Sequence, residues 1–102
     1  MAHGYIRSAD GTFTTFDARG SGTVPAAVNS KGETTGTYYT NDGKKMVGFL
    51  RKSNGTITSV QVSGATGGTA PLSVNTSGAI AGTFYVRSVN HTMTPSGFIR
   101  TP

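Results

Sequence analysis

Apolar and polar positions alternate along this chain in short runs, each interrupted by a cluster of Gly, Asn, Asp or Ser. A period of two with frequent breakers predicts strands and hairpins, not helices. VPAAVN at 24–29, ETTGTYYT at 33–40, KMVGFLRK at 45–52 and TITSVQVS at 56–63 read as four successive strands, A to D. The turns between them carry Asn-Ser-Lys-Gly, Asn-Asp-Gly and Asn54-Gly55, residues that accept the positive φ of tight hairpins. Asn54-Gly55 and Asp10-Gly11 read as type I′ hairpin turns. Tyr38 and Tyr39 are adjacent and point to opposite faces, as do Phe84 and Tyr85, so the sheet is expected to be covered on both sides.

The pattern repeats. HGYIRSADGTFTTFDARG at 3–20 returns as VGFLRKSNGTITSVQVSG at 47–64, an offset of 44 with six identities in 18 positions. PAAVNSKGETTGTYY at 25–39 returns as PLSVNTSGAIAGTFY at 71–85, an offset of 46 with seven identities in 15. SGFIR at 96–100 begins a third copy of the first block. The slips between blocks fall in turns, where structural repeats tolerate insertions. Glycines recur inside strands at 36/82 and 4/48/97, which predicts a bulge or the close approach of a neighbouring backbone.

Strand by strand the chain therefore runs C-D over 3–23, A-B-C-D over 24–64 and A-B-C over 70–100, in a single repeat module over 1–102. A four-stranded antiparallel unit of about 45 residues with apolar residues on both faces is expected to be a β-propeller blade. Two blades cannot close a ring. We therefore expect an all-β fold with two blades per chain and a ring closed by homo-oligomerisation, a trimer or tetramer. The N-terminal C-D pair of one chain completes the A-B pair of another, and the terminal GFIR competes with GYIR for one C position. The alternative is a single-chain β-sandwich or barrel.

Composition narrows the function. The chain has 102 residues, 15 of them glycine, no Trp and no Cys, which suits short strands over a thin core and excludes disulfides and thiolate metal sites. The net charge of +5 is scattered, with only Lys44-Lys45 and Arg51-Lys52 adjacent, so nucleic acid is not an expected partner. No apolar run is long enough for a membrane span or a signal peptide. His3 and His91 stand in different contexts, and Asp10 and Asp42 are explained by turns. No nucleophile, base and orienting residue come together, and no metal-ligand spacing occurs. Neither an enzyme nor a cofactor is expected.

Candidate ligand-binding residues are those that recur and carry recognition chemistry. Tyr39 and Tyr85 offer an apolar face and a hydroxyl to a sugar ring. Arg7 and Arg51 follow the apolar pair of the C strand and supply a charged donor, whereas Asn29 and Asn75 offer amides for sugar hydroxyls. For the asparagines, capping of their own turns is the structural alternative.

The pattern Val-Asn-x-x-Gly-x-x-x-Gly-Thr-Tyr/Phe-Tyr, followed by His-Gly-Tyr/Phe-Ile/Leu-Arg and Asp/Asn-Gly-Thr-Phe/Ile-Thr, resembles the HAF-type repeats of bacterial extracellular proteins across residues 3–100. The His-Gly-aromatic signature of that family is kept only at His3-Gly4-Tyr5, since Val47 and Ser96 replace the histidine elsewhere. The resemblance implies an exported, propeller-like module at the cell surface or outside the cell, with a role in adhesion or recognition. Glycans are then the expected ligands, bound at several equivalent sites. A self-assembling fragment without a ligand is the alternative.

Overall fold

The computed structural model describes residues 2–90 and 92–102; His91 lies outside the described residues. The fold is all-β, and among the described residues no helix forms. Among the described residues nine strands run β1 (Gly4–Arg7), β2 (Phe13–Phe16), β3 (Gly22–Val28), β4 (Thr34–Tyr39), β5 (Met46–Arg51), β6 (Ile57–Val60), β7 (Gly68–Val74), β8 (Ile80–Arg87) and β9 (Met93–Arg100). They make three antiparallel sheets, β1-β2, β3-β4-β5-β6 and β7-β8-β9, each pairing neighbours in sequence. No closed barrel forms, so the barrel alternative fails: strand pairing stops at each sheet's edges.

Four of the turns share one geometry, which differs from the expected type I′. In the first, Gly11 N–H donates to the Ser8 carbonyl at 2.9 Å and Ser8 N–H to the Thr12 carbonyl at 2.8 Å. The glycine is thus the fourth residue of the turn, at φ 90°, the arrangement of a three-residue hairpin loop closed by a glycine bulge. Gly32, Gly55 and Gly78 occupy the same place, bonding to Asn29, Lys52 and Asn75; Gly43 bonds likewise to Thr40, but Thr40 N–H closes on the Lys45 carbonyl, so that loop is one residue longer. An Asx side chain often supports the loop, as where the Asp10 carboxylate accepts from Thr12 N–H at 3.0 Å.

The repeat is exact in register. Pro25 faces Gly36 and Pro71 faces Gly82, each with a bulge immediately after the proline. The bulge brings the A strand down onto the glycine. A Cβ on Gly36 would lie 2.3 Å from the Val24 carbonyl oxygen, and one on Gly82 would lie 2.4 Å from that of Ala70. Proline is tolerated because β3 and β7 are edge strands and the bulge removes the need for its missing N–H.

Between sheets the packing also repeats. Leu50 and Val60 of the four-stranded sheet close on Val74 and Ile80 of the next, with Ile80 and Phe49 completely buried. On its other face that sheet offers Tyr38, Val47 and Phe49 to Phe16 and Ala18, and the Phe16 and Phe49 rings meet edge-on at 6.0 Å. The four-stranded sheet is thus covered on both faces, as the adjacent aromatics predicted, whereas Ile99 of the three-stranded sheet and Tyr5 and Phe13 of the two-stranded one are exposed. Buried threonines fasten the D-to-A connections: Thr23 Oγ1 accepts from Ala18 N–H at 2.9 Å and Thr69 Oγ1 from Val62 N–H at 3.1 Å.

Candidate functional site

Glycine and proline build the joint between sheets. Pro25 lies over Gly4, where a Cβ would come 3.0 Å from the proline Cγ. Pro71 lies over Gly48, where the same atom would come within 2.7 Å. Gly97 is the third glycine of this series, and its hollow is open, with nothing nearer than the Gly82 carbonyl oxygen at 3.9 Å. The strand that carries Gly97 is likewise uncovered: Ile99 is 79% exposed, while Leu50, its counterpart in the preceding sheet, is 6% exposed.

The two asparagines chosen from the sequence belong to this joint. Asn29 Oδ1 accepts from Lys31 N–H at 3.0 Å and from Glu33 N–H at 2.9 Å, holding its own turn. Its amide donates to Glu33 at 2.7 Å and across the joint to the Asn75 carbonyl at 2.9 Å. Asn75 Oδ1 caps the equivalent turn through Ala79 N–H at 2.8 Å. Among the described residues the Asn75 amide makes no hydrogen bond, whereas its counterpart in Asn29 makes two.

The remaining candidates fall apart from one another. Tyr39 and Tyr85 occupy equivalent positions in β4 and β8, opposite Gly22 and Gly68, each in a different sheet. Arg51 lays its guanidinium over the Phe16 ring at 5.0 Å and so covers the first joint as a cation on an aromatic face. Of the six, Asn75 lines a hollow beside Ile80 and Ile99, and Arg7 lines a groove. That groove, of about 360 Å³, runs between β1 and β3 and is lined by His3, Tyr5, Ile6, Arg7, Val28 and Thr34 together with Pro25 and the alanines beside it.

Sequence reasoning passed over Thr34. It is 2% exposed, and its hydroxyl is buried without a hydrogen-bond partner among the described residues. The signal lay in the repeat alignment, where Thr34 stands in the place of Ile80. At the rim, His3 Nδ1 and Asp17 Oδ1 meet at 2.6 Å. Among the described residues no group of three or more His, Cys, Asp or Glu is placed to hold a metal ion, and no helix is long and apolar enough to cross a membrane.

No protein-family model, curated protein or solved structure matches this chain.

Proposed function

We propose that the chain is a non-catalytic recognition module made of β-propeller blades, which closes a ring by head-to-tail association with copies of itself. Between its blades it presents grooves to carbohydrate or another extracellular ligand. The joint carries this reading. It is made twice, at Gly4 and Gly48, and offered a third time at Gly97 together with the free Asn75 amide. A face that is buried at the Gly48 joint and bare around Gly97 is suited to another copy of the same element.

The partner element is the β1-β2 hairpin. In β9, Gly97 pairs with Thr83, just as Gly48 of β5 pairs with Thr37. If a second copy's β1 takes the place of β9 on β8, Gly4 falls opposite Thr83 in the same register. β9 comes to this place with no strand packed on its outer face, whereas β1 brings β3 and Pro25 with it. Exchange therefore adds a joint that β9 cannot supply. Three or four chains would close six or eight blades. The resemblance to HAF-type repeats supports the propeller reading and an extracellular setting.

Light scattering behind a sizing column tests association, and a glycan array tests recognition. Binding that is competed by free sugar supports the module as proposed. The second reading, a self-assembling scaffold without a ligand, is favoured by the scatter of the six candidate residues. A blank array from an intact oligomer would select it.

A further inference from the structure

The two joints are built on one plan, yet one is sealed and the other open. In the second, Leu50, Val74 and Ile80 close a buried core with Val60. In the first, Ile6, Val28 and Thr34 hold the corresponding positions and line the groove instead. Phe16, the counterpart of Val60, packs on Phe49. Val28 is left 54% exposed where Val74 is 8% exposed. At the floor, the Thr34 hydroxyl has no partner. A buried hydroxyl without a hydrogen bond is destabilising, and a ligand able to reach it recovers that loss.

We propose that this groove binds the ring of an acidic sugar, a uronic acid residue. Its walls of Ile6, Pro25 and Val28 and the Tyr5 side chain suit the apolar face of a pyranose ring. Thr34 Oγ1 supplies a hydrogen bond to a ring hydroxyl. Arg7 stands at the lip and makes no ion pair among the described residues, and none of the lining residues is acidic. A carboxylate on the sugar completes the pairing with the guanidinium. The groove lies within one chain, so this site deepens the recognition half of the proposed function without requiring assembly, and the two fail separately.

The test is an amide-detected NMR titration of the intact chain with methyl glucuronide and, as its neutral counterpart, methyl glucoside. The uronide is expected to shift Ile6, Ala27, Val28 and Thr34, and the glucoside to bind about tenfold more weakly for want of the charged hydrogen bond. Arg7→Gln should erase that preference. Thr34→Ile should abolish binding of both and raise the melting temperature, because isoleucine fills the same place at the second joint. Thr34→Val, which exchanges only the hydroxyl for a methyl group, should weaken binding about fivefold while preserving the fold. The proposal is overturned if neither probe shifts those amides, if both bind equally, or if Thr34→Ile binds as tightly as the unaltered chain.

Discussion

Pro71 fills the hollow that Gly48 leaves in β5: a Cβ on that glycine would lie 2.7 Å from the proline Cγ and 2.5 Å from the Val60 carbonyl oxygen. One of these neighbours is backbone and cannot turn aside. Gly48→Ala should therefore destabilise the chain by about 2 kcal/mol, within the ~1–3 kcal/mol range for overpacking. Gly97→Ala meets open space and should change stability by less than about 0.5 kcal/mol. Urea denaturation of both variants measures the contrast, and equal losses would mean that the proline does not need the glycine.

Asn29 and Asn75 are equivalent in sequence and unequal in bonding. Asn29→Ala loses the supports of its turn and the bond across the joint, and should cost about 2 kcal/mol, while Asn75→Ala should cost about 1 kcal/mol. Melting curves at matched concentration would order them. The reverse order would show that the joint is not held by the Asn29 amide.

Ile80 is completely buried against Leu50, Val60 and Val74, so Ile80→Ala opens a cavity in the second joint. The expected loss is about 3–4 kcal/mol, at which a chain of this size is close to unfolded. Thr34→Ala at the matching position of the first joint should cost about 1 kcal/mol, since it removes one methyl group and a hydroxyl that has no partner among the described residues. Near-equal losses would contradict the sealed-versus-open distinction.

Acid should loosen two turns. The Thr40 hydroxyl and then the Lys44 N–H hold the Asp42 carboxyl below its ordinary value of 3.8, and the Thr12 N–H does so for Asp10. Because the folded value is the lower one, the stabilisation is complete above about pH 4 and is lost as pH falls through the depressed value. Asp42→Asn should therefore flatten the fall in melting temperature between roughly pH 4 and pH 2. A profile identical to the parent's would remove Asp42 from the acid response.

The strands and the repeat were legible because both are local: alternation marks a strand, and an Asx near a glycine marks a turn. The turn type was misread because it depends on the glycine being fourth, not third, which only the closing pairs Ser8-Thr12 and Lys52-Thr56 reveal. The recurrent glycines pointed to bulges and close approach, and the structure has both, at Gly36 and Gly82 beneath the bulges and at Gly4 and Gly48 beneath the prolines. That a proline from the next sheet fills the hollow was hidden, since adjacency of sheets leaves no local mark. Recurrence itself misled the choice of site. Asn29 and Asn75 recur because their turns recur, whereas the groove arises where the repeat is broken, with Thr34 in the place of Ile80.

If exchange of β9 for β1 drives assembly, weakening β9 should promote it. Phe98 anchors β9 to β8 by tilting against Phe84 with ring centroids 6.5 Å apart. Phe98→Ser should lower the stability of the monomer and raise the oligomer fraction at the same concentration. A variant that only unfolds, with no gain in oligomer, counts against exchange.

The most direct test of the propeller account is the solution mass of the unaltered chain, by light scattering behind a sizing column over a range of concentrations. The account predicts a discrete species of three or four times 10.5 kDa. A single species at 10.5 kDa at every concentration would contradict it, leaving the bare face around Gly97 and Ile99 without an occupant from this chain.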